Sequence, residues 1–151
     1  MEESVALIAR LNEATKMVLA TGSANHITAR TMSCIVFEGK IYFQTDSRSP
    51  KCCQLAQNPN VALCINNIQI EGVAVAIGHP LSKQNTFFAK LFEQYYPGSF
   101  KKYTGLADEV LFEVNISRVE TWGYENGEPY QIFCDFTKET YKKEFYDIGA
   151  R

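Results

Sequence analysis

A cluster of hydroxyl and cationic side chains stands where a predicted strand passes into a short helix. It consists of Thr45, Ser47, Arg48, Ser49 and Lys51. A helix N-terminus exposes unpaired backbone N–H groups and a partial positive charge, both of which attract anions. Added cations and hydroxyls favour a doubly charged phosphate monoester over a carboxylate. The pattern therefore predicts a phosphate-binding site.

Arg30 lies on the adjoining predicted strand and extends this cluster. Its planar guanidinium can bind two phosphate oxygens at once or lie against a ligand ring. Each residue taken alone also has an ordinary role, with Ser49 as a helix N-cap and with Arg48 and Lys51 as solvated surface charges. Their combination at one helix end is what favours a ligand.

The elements that must position this cluster are mostly short strands joined by tight turns. Hydrophobic periodicity and turn residues predict helices over 3–15, 50–57 and 83–96. They predict strands over 16–23, 27–37, 41–45, 61–66, 68–78, 110–124 and 129–136. A charged tail follows from residue 137, and a helix at its end is one interpretation. Hairpin-linked strands without repeating βαβ units predict a mainly β (α+β) chain, an antiparallel barrel with flanking helices.

Length and composition limit the function classes. A chain of 151 residues with 46% hydrophobic content is expected to form a single domain, residues 1–151. The net charge of -2 argues against nucleic-acid binding. Neither a secretory signal nor a membrane span of roughly 20 apolar residues is expected, so we predict a cytoplasmic protein. The five cysteines contain no CxxC pair, and no metal site is expected.

Several short motifs occur in a distinctive order and spacing. They are ARTM from residue 29, EGKIYFQTD from 38, SPK from 49, QLAQNPNVAL from 54 and NNIQIEG from 66, followed by YYPG from 95 and VETWGY from 119. Over residues 16–80 this series resembles the flavin-binding core of the pyridoxamine 5'-phosphate oxidase-like proteins, the FMN-binding split-barrel family. The two later motifs resemble its short bacterial, general-stress-type members.

The resemblance implies a six-stranded split barrel that forms a homodimer, with FMN bound in clefts at the subunit interface. The matching positions are Arg30, Thr31, Met32 and Ser33 along the flavin ring and ribityl chain, Gln44 and Thr45 on the next strand, Ser49 and Lys51 at the phosphate, Asn67 reaching in from the other subunit, and Trp122 at the cleft. Trp122 is equally interpreted as a core or interface indole.

The sequence also departs from the true oxidase pattern. Pro50 stands where that enzyme has an arginine, Gln69 replaces a basic residue, and the sequence to Arg151 contains no Arg-rich segment for a vitamin substrate. Vitamin B6 oxidation is therefore not expected, whereas FMN binding is.

Bound FMN would supply the redox chemistry. The expected function is an FMN-dependent oxidoreductase acting on a small molecule, with a reduced nicotinamide or another electron donor. The catalytic residues are not identified by the sequence. The alternatives are a flavin-binding protein that stores or senses the cofactor, a barrel for another phosphorylated ligand, and a haem-binding split barrel with His79 as the first candidate ligand.

Overall fold

The computed structural model describes residues 2–146, except for the side chain of residue 5. The helices are α1 (Glu2–Ala9), α2 (Pro50–Gln57), α3 (Thr86–Tyr95) and the short α4 (Pro97–Ser99), and the strands are β1 (Ala14–Ser23), β2 (His26–Phe37), β3 (Lys40–Asp46), β4 (Asn60–Ile65), β5 (Ile68–Ala76), β6 (Glu109–Glu125), β7 (Glu128–Asp135) and β8 (Thr140–Phe145). A 3₁₀ turn precedes α3, and a π-helical turn, Phe100–Thr104, follows α4.

The strands form one antiparallel sheet that closes on itself. Its order is β3-β2-β1-β4-β5-β6-β7-β8, and β3 also pairs with β6. This second pairing closes the first six strands into a barrel and leaves β7 and β8 as an extension. The predicted six-stranded antiparallel barrel is therefore confirmed, with two strands added to it.

Tight turns set the register of the hairpins. Between β2 and β3, Glu38 and Gly39 adopt φ values of 49° and 77°. Two consecutive residues with positive φ form the type I′ turn, whose twist matches that of the flanking strands. Ala24 and Asn25 do the same between β1 and β2, with φ values of 48° and 64°. The barrel strands are thus paired through local turn chemistry.

Two apolar clusters hold the fold. The first fills the barrel, with Phe43, Leu63 and Val114 at its centre, each fully or almost fully buried. The second lies between the outside of β2, β3 and β6 and the inner face of α3, where Phe88 and Phe92 stack at 5.0 Å. The aromatic side chains of α3 therefore pack in the core and fix this helix against the barrel.

A β-bulge divides β6. Glu71 of β5 pairs with Arg118, but its neighbour Gly72 pairs with Ile116, so Ser117 is the extra residue. A Cβ atom on Gly72 would lie 2.6 Å from the main-chain oxygen of Asn115, so only glycine fits here.

The ends of the chain differ from the predictions. The first helix ends at Ala9 instead of near residue 15, and Ala14 already belongs to β1. The charged tail forms the unpredicted strand β8 over Thr140–Phe145, because it pairs with β7 along its length. The helix considered for the end of the tail falls partly on residues 147–151, which lie outside the described part of the chain.

The outer face of β5 is partly exposed in the single chain. Ala74 points into the barrel, but Val73 and Val75 are 37% and 43% exposed on the outside of β5. Val18 of β1 is exposed to a similar extent. The single chain therefore presents an apolar outer face over its central strands.

Candidate functional site

A cavity of about 380 Å³ opens between the β2–β3 pair and the segment that runs from α3 to β6. It is lined by Thr31, Met32, Ser33, Gln44, Thr45, Asp46, Phe92, Ser99, Tyr103, Leu106 and Glu109. Five of the predicted site residues, those on β2 and β3 other than Arg30, are thus brought together at one cavity. Polar groups line the strand side, while aromatic and aliphatic groups line much of the opposite side.

Lys51 joins the helix entrance to this cavity. Its Nζ atom donates a hydrogen bond to Thr45 Oγ1 at 2.7 Å. Partial burial lowers the pKa of Lys51, and repulsion by the Arg30 guanidinium lowers it further. Among residues 2–146 neither cation forms an ion pair within 4.0 Å, and Glu109 and Asp46 act on Lys51 only from a longer distance.

Ser49 holds the N-cap position of α2 with extended backbone angles, φ -69° and ψ 153°. Its main-chain oxygen accepts bonds from the N–H groups of Cys52 and Cys53 at 3.1 and 3.3 Å. The side-chain hydroxyl, in contrast, makes no cap bond and is buried with no partner in the described part of the chain. Buried hydroxyls almost always have a partner, so the Ser49 hydroxyl is a candidate hydrogen-bond donor to a ligand.

Arg30 is more strongly held by the protein than the sequence suggested. Its guanidinium donates to Thr21 Oγ1 at 2.8 Å, to the hydroxyl of Thr28 and to the main-chain oxygen of Leu19 at 3.3 Å. The same two hydroxyls donate to Gln54 Oε1. Arg30 therefore belongs to a polar network at one end of the barrel, from which its charge still acts on Lys51.

Arg48 is exposed and paired with two aspartates. It is 72% exposed, and its guanidinium contacts Asp46 at 2.9 Å and Asp108 at 3.5 Å. The hydrogen bonds from Arg48 lower the pKa of Asp46 to about 2. With its charge already paired, Arg48 is a surface residue, and the available cations at the site are Lys51 and Arg30.

The wall opposite the strands is anchored by a buried hydrogen bond. Thr104, which ends the π-helical turn and is fully buried, donates through Oγ1 to Gln44 Oε1 at 3.0 Å. This bond fixes the turn, and with it Tyr103 and Leu106, beside β3. π-Helical turns are rare and frequently occur at functional sites.

Comparison with known protein families identifies the family of this chain. A family model described as pyridoxamine 5'-phosphate oxidase matches residues 4–123, about four fifths of the chain. The chain belongs to this family. The cavity-lining residues of β2 and β3 and the entrance to α2 all fall within the matched region. No curated protein sequence matches the chain.

Proteins with solved structures of similar fold differ in their described functions. A pyridoxamine 5'-phosphate oxidase-related, FMN-binding protein from Nostoc punctiforme is 18% identical over 96% of this chain and 96% of that one, with a TM-score of 0.61. General stress protein 26 from Bacillus anthracis is 20% identical over 78% and 90%, at 0.58. HutZ, the haem storage protein from Vibrio cholerae, is 13% identical over 77% and 89%, at 0.62. At these identities the likeness establishes the fold alone.

Two predicted site residues, Asn67 and Trp122, lie apart from both the cavity and the entrance to α2. Asn67, in the turn between β4 and β5, donates through Nδ2 to the main-chain oxygen of Trp122. The Trp122 side chain is 46% exposed and meets Tyr124 edge to face, with the ring centroids 5.9 Å apart. These two residues form a separate group at the base of the β6–β7 extension.

His79 has both ring nitrogens engaged. Nδ1 accepts a bond from the Leu81 N–H at 3.0 Å, so Nε2 is the atom that donates to the main-chain oxygen of Leu106 at 2.8 Å. This arrangement ties the loop after β5 to the cavity wall. An axial ligand to haem needs a free ring nitrogen, and His79 offers none in this arrangement.

Sequence reasoning missed the wall opposite the strands. Its contributors are Phe92, Ser99, Tyr103, Leu106 and Glu109, together with Asp46 on β3. Phe92 packs in the second apolar cluster and also reaches the cavity. Glu109 precedes an apolar strand, and a carboxylate in that position was the one available signal. The segment that follows Phe92 reaches the cavity through tertiary packing, which local patterns do not encode.

Within residues 2–146, no helix combines the length and apolar character that a membrane crossing requires.

Proposed function

We propose that this chain binds FMN and acts as an FMN-dependent oxidoreductase on a small molecule. The observation that carries the proposal is the buried, unpartnered hydroxyl of Ser49 at the start of the helix whose first turn carries Lys51, an ammonium without an ion pair within 4.0 Å in the described part of the chain. A hydroxyl donor and a cation without an ion pair suit a phosphate dianion, which offers several strong acceptor oxygens. The family membership and the FMN-binding relative from Nostoc punctiforme support the same choice of ligand.

The chain's own groups divide the work of holding this ligand. Ser49, Lys51 and Thr45 would bind the phosphate, and Arg30 would add long-range attraction from its network. Thr31, Met32, Ser33 and Gln44 would border the ring and its ribityl chain, while Phe92 and Leu106 would limit the access of water. Bound FMN supplies hydride and single-electron transfer, so no protein nucleophile is required.

The absorption spectrum of the purified protein is the first test. Flavin bands are expected, whereas a haem spectrum or a colourless protein that does not take up added FMN contradicts the proposal. Anaerobic mixing with a reduced nicotinamide then separates the enzyme from a storage or sensing protein. Rapid bleaching of the flavin supports turnover, and a bound flavin that stays oxidised supports storage or sensing.

We also propose that the working unit is a homodimer with FMN at the subunit interface. The exposed valines on the outside of β1 and β5, Val18, Val73 and Val75, support an apolar contact between copies. Val75→Glu should yield monomers that release FMN. Leu81→Glu, at an exposed residue outside this face, should leave assembly unchanged. Sedimentation with detection at a flavin wavelength measures both, and flavin carried by a monomer contradicts the shared site.

A further inference from the structure

The side of the cavity opposite the strands presents two half-exposed apolar side chains. Tyr103 is 43% exposed and Leu106 is 50% exposed, and both line the cavity together with Phe92, which is almost fully buried. We call these three residues the apolar wall. Single exposed apolar side chains are common on protein surfaces, but a group of them that borders a cavity is typical of a ligand-binding site.

Hydrogen bonds hold the apolar wall in place, although two of its side chains are exposed. The Leu106 N–H donates to the Tyr103 main-chain oxygen at 3.0 Å. The Leu106 oxygen accepts bonds from the Glu109 N–H at 3.2 Å and from His79 Nε2 at 2.8 Å. Thr104, between the two exposed residues, is tied to β3 by its own buried bond. The wall is therefore a fixed surface, and a ligand that covers it causes little loss of chain entropy.

The ionisable side chains that line the cavity on either side of this wall are acidic. Among the described lining residues, Asp46 and Glu109 carry carboxyl groups, and lysine, arginine and histidine are absent. Lys51 lies at the helix entrance, where the proposed phosphate would engage it. Lys102 has its Nζ atom 5.5 Å from the centroid of the Tyr103 ring, but it is exposed and is not a lining residue. An anionic group in the cavity would therefore lose water without gaining a cation.

We propose that the apolar wall binds the small-molecule substrate, and that this substrate is a planar aromatic molecule without negative charge. The rings of Phe92 and Tyr103 offer stacked or edge-to-face contacts, and Leu106 adds apolar area. This inference rests on the proposed function, in which the flavin borders the strand side and leaves the opposite wall to the substrate. Aromatic carboxylates, sulfonates and phosphates are excluded from the substrate class.

Two naphthalene derivatives of nearly identical shape test the charge preference. Naphthalene-2-carboxamide is uncharged, whereas naphthalene-2-carboxylate carries one negative charge at pH 7. Equilibrium dialysis of the purified protein, with the flavin that it retains, gives the Kd of each compound without turnover. The carboxamide should bind at least about tenfold more tightly, because the carboxylate loses hydration and meets no cation. Equal Kd values, or tighter binding of the carboxylate, overturn the inference.

Leu106→Lys should reverse this preference. The position is half-exposed, so the fold should tolerate a lysine, and the new cation should tighten carboxylate binding at least about tenfold. Ile27→Lys is the matched control, at a residue that is 77% exposed on β2 and does not line the cavity. It should change each Kd by less than about twofold, because its charge is distant and screened. Unchanged carboxylate binding in Leu106→Lys contradicts the placement of the ligand.

Tyr103→Ala tests the aromatic contact separately from charge. Loss of one ring contact should weaken binding of the carboxamide by about two- to tenfold. The preference for the carboxamide over the carboxylate should remain, because the cavity still contains no cation. A Kd for the carboxamide equal to that of the native protein would show that the ligand does not contact the apolar wall.

The absorption spectra of the same samples separate this inference from the FMN proposal. Flavin bands without measurable binding of the carboxamide overturn the apolar wall as a substrate site and leave FMN binding intact. A protein that takes up no FMN, but binds the carboxamide in a manner that depends on Leu106 and Tyr103, supports the wall and overturns FMN as the cofactor. Absence of both flavin and carboxamide binding overturns both proposals.

Discussion

The hydrogen bond from Lys51 Nζ to Thr45 Oγ1, at 2.7 Å, ties the first turn of α2 to the end of β3. Because the Thr45 hydroxyl accepts this bond, its own hydrogen remains free to be donated to a ligand. The lysine in turn is held in one position with two further N–H donors. The cationic end of the site is thus preorganised in the free chain, which reduces the entropy lost on binding.

Ser49→Ala should weaken FMN binding and leave the stability of the fold almost unchanged. Replacing an N-cap serine by alanine usually costs about 0.5–2 kcal/mol, because a cap bond is lost. Ser49 makes no cap bond, so the free energy of unfolding should change by less than about 0.5 kcal/mol, measured in urea. FMN affinity should fall about tenfold, since a bond to a charged group is worth about 1.5–3 kcal/mol.

The control for that change is Ser82→Ala, which replaces another helix-start serine without a cap bond. It should alter neither stability nor FMN affinity. A large loss of stability in Ser49→Ala with unchanged flavin binding would show that the hydroxyl has a purely structural role.

Lys51→Met should stabilise the free protein and weaken FMN binding. Burial and then Arg30 lower the pKa of Lys51 in the folded state, so the unfolded chain binds the proton more strongly. Lys51 consequently stabilises the fold fully only above its unfolded pKa, about 10.4, and this contribution is lost as the pH falls through the lower folded value. At pH 7 the methionine variant should unfold at a higher urea concentration than the native protein.

The gain in stability of Lys51→Met should shrink as the pH is raised towards 10. Lys90→Met, at an exposed position on α3, supplies the matched control, and Arg48→Ala tests the paired surface cation. Both should keep FMN affinity within about twofold, whereas Lys51→Met should lose about tenfold or more, the equivalent of one charge-assisted bond. Equal losses for Arg48→Ala and Lys51→Met would place the phosphate elsewhere.

Thr104→Val should loosen the cavity wall. The substitution keeps the volume but leaves the buried Gln44 Oε1 atom without its donor, at a cost of about 1–3 kcal/mol. Thr104→Ser keeps the hydroxyl and should lose less. Hydrogen exchange at Tyr103 and Leu106 should accelerate in the valine variant only. Faster exchange in the serine variant only would indicate that the packing of the threonine methyl group, and not the hydrogen bond, holds the wall.

Gly72→Ala should destabilise the barrel. The new Cβ would lie 2.6 Å from the main-chain oxygen of Asn115, so β5 and β6 must separate locally. Strain of this kind costs about 1–3 kcal/mol, seen as a lower urea midpoint. Gly105→Ala is the control, because a Cβ there meets no atom within 4 Å. Equal stability of the two variants would show that the bulge adapts without strain.

Local signals in the sequence were sufficient to predict most strands and turns of the barrel. Glu38-Gly39 predicts a hairpin, and Ser49-Pro50 predicts a helix start, because short-range backbone chemistry decides both features. The strand over Thr140–Phe145 carried no such signal. All six of its side chains are exposed, so no hydrophobic alternation marks it, and its pairing with β7 creates it.

The strand side of the site was predictable and the opposite side was not. Thr31 to Ser33 and Gln44 to Thr45 were found because their motifs are contiguous and resemble a known family. Glu109 and Tyr103 belong to no motif, and closure of β6 onto β3 brings them to the cavity. That closure is a long-range contact between segments about 65 residues apart, which neither periodicity nor turn chemistry encodes.

The extra residue Ser117 divides the long strand β6 into two regular halves. Val114 before it and Val119 after it are both buried, although an unbroken strand would place residues of even and odd number on opposite faces. Deleting Ser117 would join Ile116 directly to Arg118, which already pair with the adjacent residues Gly72 and Glu71, so regular alternation would return and Trp122 would keep its face. The bulge therefore absorbs one extra residue while both halves of β6 keep their inward side chains on the barrel side.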